Sequence, residues 1–295
     1  MMISVSVGIC VYNEGKNIER SLRSVFSQRA DGFEVIEVIA VSSGSTDDTD
    51  QIVGRLMNEF PSIKLIRQEK RMGKNSAINE FLEAKKGEVC VLLNGDNVLG
   101  NDLSLFNLIS PFNDGSVGMT GGHPIPTNDP KTLAGFATHL IWSMHHHIST
   151  VRPKIGELVA FRDIGTRLPT TMQSDEDIIK MELEKNGYVS VYSPDAIVLN
   201  HGPETVRDFM KQRIRVNIGE EYMHREFEYS VSTRDSGLMA GAIISAVRDL
   251  GIHPVKLPFA MLMEVMARLK AKAHVSADKG DMNVWSPVGS TKDLK

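Results

Sequence analysis

At residues 91–100 the sequence reads VLLNGDNVLG, an apolar run that stops at Asn94, Gly95, Asp96 and Asn97. A strand burying Val91, Leu92 and Leu93 has no packing use for a carboxylate between two amides, so the question is what Asp96 holds. Two other places carry groups of the same kind. In SDEDIIKMELEK, Asp175, Glu176 and Asp177 stand just ahead of the apolar positions Ile178, Ile179, Met181 and Leu183, where acids also suit a helix dipole. In KRMGKNSAIN, Lys74 opens another helical pattern. It is placed to meet a phosphate as a point charge, or to be a plain solvated first-turn lysine. Two common nucleotide loops are missing. No GxGxxG follows the first strand, and the residue five before Gly73 is Gln68, where a Walker A loop needs glycine.

The elements that must position these groups alternate. ISVSVGICVY is β-branched and apolar and stops at Asn13-Glu14-Gly15, after which Ile18, Leu22, Val25 and Phe26 recur at helical spacing. FEVIEVIAV predicts a second strand. SSGSTDDT follows it, with Ser45 or Thr46 as an N-cap, Asp47 and Asp48 in the first turn, and a helix carrying Ile52, Leu56, Met57 and Phe60. SIKLIRQ, a helix over 74–86 and EVCVLLN complete the pattern. Strands separated by helices of this length predict βαβ units in a mostly parallel sheet with helices on both faces. Ligands of such sheets bind outside the carboxyl ends of the strands. The ends here are Tyr12-Asn13-Glu14, Ser42-Ser43-Gly44-Ser45 and Asn94-Gly95-Asp96, which should converge on one crevice.

Composition bounds the rest. The 295 residues are long enough for a large core, with 41% hydrophobic and 24% charged residues, and a net charge of −4 lends no support to nucleic-acid binding. Cys10 and Cys90 lie inside strand patterns, far apart and without metal-ligand spacing, which fits buried thiols in a reducing compartment. MMISVSVGIC has no basic region or cleavage site, so no export signal is expected and the cytoplasm is the expected location. The uncharged stretch 133–151 holds His139, His145, His146 and His147 and is too polar to span a bilayer.

CVYNEGKNI, VSSGSTDDT, KRMGKNSAIN, NGDN, SDEDI and KQRIR occur in the order seen in family 2 glycosyltransferases of GT-A fold, which the chain resembles over roughly residues 3–217. The resemblance implies a nucleotide-sugar donor, UDP- or GDP-linked, held by Val11, Tyr12, Glu14, Ser43, Lys74, Asn94 and Gly95. Gln212, Arg213 and Arg215 match a QxxRW-like element, with Val216 in place of its tryptophan, and would bind the diphosphate. It implies a divalent metal (Mn2+ or Mg2+) on Asp96, with His201 as a further ligand. A carboxylate of the acidic trio would be the base of inverting transfer, Asp177 with Glu176 as the alternative. Two positions depart from the pattern. The first acid of the DxD element is Asn94, and the aspartate that usually reads the nucleobase is Ser43, which leaves the base open between uracil and guanine.

The expected fold class is therefore α/β, GT-A type, with a catalytic domain over 1–217 and a helical C-terminal extension over 218–295. The helix carrying Trp142 and the histidines should line an acceptor cleft. In the extension, Phe259, Leu262, Met263, Met266 and Leu269 fall near one face, followed by Arg268, Lys270 and Lys272. Such a helix suits an anionic lipid surface at the cytoplasmic face of a membrane, a homo-oligomer contact or a core cover. The expected activity is sugar transfer to a hydroxyl or phosphate of a lipid-linked or glycan acceptor. The alternatives are a sugar-phosphate nucleotidyltransferase, which would want a glycine-rich loop where Tyr12-Asn13-Glu14 stands, and a non-catalytic nucleotide-sugar-binding protein.

Overall fold

The computed structural model describes residues 2–277 and Thr291. Strands β1 (Ile3–Val11), β2 (Phe33–Ser43), β3 (Ile63–Gln68) and β4 (Val89–Asn94) alternate with helices α1 (Ile18–Phe26), α2 (Thr49–Glu59) and α3 (Lys74–Ala84). After β4 come β5 (Val98–Leu99), α4 (Ser104–Ile109), β6 (Val117–Pro126), α5 (Leu133–Ser149), β7 (Leu158–Arg162), α6 (Asp175–Lys185) and β8 (Val189–Asn200). Three helices close the described chain: α7 (Val206–Phe227), α8 (Ser236–Leu250) and α9 (Lys256–Ser276).

One sheet runs β3-β2-β1-β4-β7-β6-β8-β5. Neighbours from β3 to β4 are parallel, as are β6 and β8, while β7 and β5 pair antiparallel with their neighbours. The period-2 alternation of buried strands explains the two cores. Val5, Val7, Ile9, Val38, Ala40, Val89 and Val91 face α1, α2 and α4, and Ile39, Val41, Cys90 and Leu92 face α3 and α6. The Phe81 ring on α3 is fully buried, and burial of that size contributes about 1.5–3 kcal/mol. It lies against Gly8, where an added Cβ would come within 2.8 Å of the ring.

Two expectations shift. Helix α2 starts at Thr49, after the Ser45 or Thr46 cap that the sequence suggests, because that loop is engaged elsewhere. Asn13 donates its backbone N–H to Ser45 Oγ (3.1 Å) and accepts from Thr46 N–H (2.8 Å), while Asp47 accepts from Gly15 N–H and Thr49 N–H at 3.0 Å each. The loop thus braces the end of β1. In α9, the apolar set divides: Met263 is buried with Ala260, Ala267 and Ala271, while Phe259, Leu262, Met266 and Leu269 are exposed. Small residues let α9 lie close on its neighbours, and the large ones turn outward.

Residue 217 lies inside α7, which runs unbroken from the sheet side into the C-terminal helices. Helices α8 and α9 share a core with α5 and Phe209 of α7. Among the described residues no helix is long and apolar enough to cross a membrane.

Candidate active site

The floor of the site is made where β1, β2 and β4 end side by side, at the point where the strand order reverses. Gly95 lets β4 close against β1, since a Cβ there would sit 2.5 Å from Val11 Cγ1. Gly44, at φ +68°, does the same for the β2 end, where a Cβ would come within 2.6 Å of the Arg71 nitrogen. Ser43 is buried and its Oγ accepts from Met72 N–H at 3.0 Å. The Arg71 guanidinium lies 4.2 Å from the Tyr12 ring centroid. The buried Glu14 accepts from Asn17 Nδ2 at 3.1 Å, and its N–H donates to Thr49 Oγ1 at 2.8 Å.

Asp96 has a carboxylate neighbour that sequence reasoning missed. Glu157 immediately precedes β7, and the antiparallel pairing of Leu158 with Leu93 brings it beside Asn94. Glu157 Oε2 accepts from Asn94 Nδ2 (2.7 Å) and Asn97 Nδ2 (2.8 Å), and its backbone is left-handed at φ +63°. The amide at 94 therefore draws in an acid from another strand. Burial first, and then the Glu157 charge, push Asp96 up to about 7, against the pull of Lys74 and Arg215. The missed signal is of the same kind as the one at Asp96: in GELVAFR an acid abuts an apolar run.

The acidic trio opens α6, and the asparagines of KRMGKNSAIN set its approach. Asn75 Nδ2 donates to the Pro169 and Met172 carbonyls (2.9 and 2.8 Å), and Asn79 Nδ2 to that of Leu168 (2.8 Å). Lys74 pairs with Asp175 at 2.8 Å and Glu176 at 3.1 Å. Burial would raise Glu176, but Lys74, the residue's own backbone N–H and a hydrogen bond with Asp175 together hold that carboxyl below its ordinary range. Asp177 differs. Burial raises its pKa despite Lys154, and Glu220 and Glu176 add to the rise. Lys154 is itself taken by Glu220 at 2.8 Å.

From α7, Arg215 faces Glu157, Asp175, Asp96 and Glu176; burial lowers its pKa while all four carboxylates act to raise it. Gln212 lines the same cleft. The fork of Arg213, expected from sequence at the diphosphate, instead holds Glu264 of α9 at 2.8 and 3.0 Å. His201 reaches the cleft wall with Nδ1 on Thr127 Oγ1 (2.9 Å), and its buried Nε2 lies 3.4 Å from Glu204. On α5, Trp142 and His145 line the cleft, and burial drives His145 down to about 3, so the ring is neutral. His146 bonds the Tyr192 hydroxyl and His147 bonds Asp249.

The strand-end residues Tyr12, Glu14, Ser43 and Asp96, with Glu157, Lys74, the acidic trio, Lys154, Arg215, His201, Trp142 and His145, border one cleft of about 560 Å³, while His146 and His147 lie outside its lining. Among the described residues no three His, Cys, Asp or Glu side chains gather as a ready-made metal cage. Asp96 beside Glu157 nevertheless fits a hard divalent cation: burial and the neighbouring Glu157 charge make ionising Asp96 costly, and a cation relieves that. Such ions bind through one or two carboxylates when substrate phosphates complete the shell.

Comparison with known proteins agrees with this geometry. The family described as glycosyl transferase family 2 matches residues 6–171. Poly-β-1,6-N-acetyl-D-glucosamine synthase of Staphylococcus aureus (strain COL) is 24% identical over 238 residues, covering 77% of this chain and 57% of the relative. The Staphylococcus epidermidis synthase is also 24% identical, over 247 residues, covering 79% and 59%. The chain thus spans somewhat over half the length of these relatives. Among solved structures, the mannosyltransferase PcManGT of Pyrobaculum calidifontis with GDP-Man and Mn2+ has a TM-score of 0.60 at 22% identity, covering 93% of this chain and 79% of that one. S. aureus TarS 1-349 with UDP-GlcNAc has a TM-score of 0.54 at 17% identity, covering 94% and 92%. At such identities the likeness shows the GT-A fold.

Proposed function

The chain belongs to glycosyl transferase family 2, and from that premise we propose that it is a divalent-metal-dependent, inverting enzyme moving a sugar from a nucleoside diphosphate to an acceptor hydroxyl. The observation that carries this is the division of labour in one cleft. Asp96, Glu157 and Arg215 make a charged floor for a diphosphate, and Asp177 stands in the same cleft with a raised pKa despite Lys154 and Lys180.

In an inverting displacement the acceptor oxygen bonds to the anomeric carbon as the bond to the diphosphate oxygen breaks. Asp177 takes the hydroxyl proton, and the electron pair leaves on the diphosphate. A carboxylate whose pKa is raised is the better base, and Glu176 is held in its ionised form by Lys74, which supports Asp177 for this role. Lys154 stands near Asp177 and steadies its ionised form. Arg215 faces the growing leaving-group charge, and Lys74 keeps the α6 acids in place. A divalent cation held by Asp96 and Glu157, with the donor phosphates, would supply further neutralisation without proton transfer. Manganese is favoured because PcManGT was crystallised with it. GDP-Man and UDP-GlcNAc in the two neighbours make both bases candidates, and Ser43 is the residue that would meet the difference.

The test is a donor-hydrolysis screen across UDP-, GDP- and dTDP-sugars with and without manganese. Release of one nucleoside diphosphate, dependent on metal, is expected. Production of pyrophosphate from a nucleoside triphosphate and a sugar phosphate would contradict it.

A further inference from the structure

Beyond its charged floor the cleft continues as an apolar arm between α5, α8 and α9, bounded by Ile141, Met144, Met239, Ile243, Met261 and Val265. A nucleotide sugar has no use for this length of hydrocarbon wall. Met261 and Val265 are themselves exposed, so the arm reaches the surface along α9. There Val255, Phe259, Leu262, Met266 and Leu269 recur at alternating steps of four and three residues, each 42–63% exposed. This makes a stripe about 21 Å long on one side of the helix and its first turn.

The charge on that helix is one-sided. Its single acid, Glu264, is held by Arg213 and Arg268, and the remaining charges are Lys256, Lys270 and Lys272. In a chain of net charge −4, a basic helix with a bare apolar stripe is complementary to an anionic lipid surface.

We propose that the apolar arm seats the hydrocarbon chain of a lipid acceptor while the outer stripe of α9 lies on an anionic bilayer. The word acceptor rests on the glycosyltransferase reading; the lipid seat rests on the arm and the stripe. The chain would enter along Met261 and Val265, leaving its polar head toward Asp177. A soluble glycan would leave the arm wet, with its apolar wall unused.

Flotation with phosphatidylglycerol vesicles tests the stripe, and Trp142 tests the arm. Trp142 borders the cleft, and in a Trp285→Phe background it is the sole indole. The protein is expected to float at low salt and to be released as salt rises, with dibrominated phosphatidylglycerol quenching Trp142. Replacing Leu262, Met266 and Leu269 with glutamate should abolish flotation while donor hydrolysis continues. Met239→Phe with Ile243→Phe should fill the arm, so that the protein floats but quenching is lost. No flotation, or flotation with Trp142 unquenched, overturns the proposal. A protein that floats and is quenched but hydrolyses no donor would instead overturn the enzymatic reading alone.

Discussion

At the sheet end of the cleft the working groups sit on strand termini. Ser43 ends β2, and Asp96 and Tyr12 follow β4 and β1 within a residue or two; Gly95 lets β4 close on β1, and Gly44 lets the β2 end close on the backbone of residues 70–71. At the helical end there is no such punctuation. Ile141, Met239, Ile243 and Met261 come from three helices spread over more than a hundred residues, and nothing local marks them as a wall. Charge at the first end is dense and mutually opposed, as in Asp96 against Glu157 and Lys74 between Asp175 and Glu176. The second end is nearly all hydrocarbon. A site read from sequence therefore emerges from its polar half, because strand ends and capping turns are written in contiguous residues.

If Asp177 bridges the two ends as the base, its loss should be the largest single effect. Asp177→Asn should lower single-turnover transfer by about 10²–10⁴-fold while donor binding and melting temperature hold. The pH profile should carry the same signature. The ionised carboxylate is the active form and its pKa is raised, so transfer should fall on the acid side at a higher pH than an ordinary aspartate would give. Glu176→Gln reproducing the full loss would move the base by one residue.

The next effect separates structure from chemistry. Lys74 pairs with both Asp175 and Glu176 and so ties α3 to α6. Lys74→Met leaves two carboxylates facing each other with little water, which should cost roughly 3 kcal/mol. Denaturant titration checks it, and Asp175→Asn in the same chain should restore much of the loss. Unchanged stability in Lys74→Met would mean that the pair is a solvated contact and that the two ends are less tightly joined.

The difference between the ends also explains which expectations from the sequence met the structure. Runs such as ISVSVGICV and VCVLLN mark buried parallel strands, and the parallel pairing of the first four strands is what βαβ units require. Asp96 was legible because it ends such a run. Glu157 was not, since its partners Asn94 and Asn97 arrive through an antiparallel strand pairing that no local pattern announces. Arg213 shows the reverse case: its motif suggests a diphosphate, yet Glu264, about fifty residues on, takes the fork. The start of α2 moved for a similar reason, with Ser45 and Thr46 bonded to Asn13 across the loop rather than capping their own helix.

Asp96, at the sheet end, is the proposed holder of the metal-bound diphosphate. Calorimetric titration of GDP and UDP into the protein, with and without manganese, tests it most directly when repeated on Asp96→Asn. Manganese-dependent binding of at least one nucleotide by the wild type is expected, and its loss in Asp96→Asn with the melting temperature unchanged. Manganese-dependent affinity that survives in Asp96→Asn would contradict it.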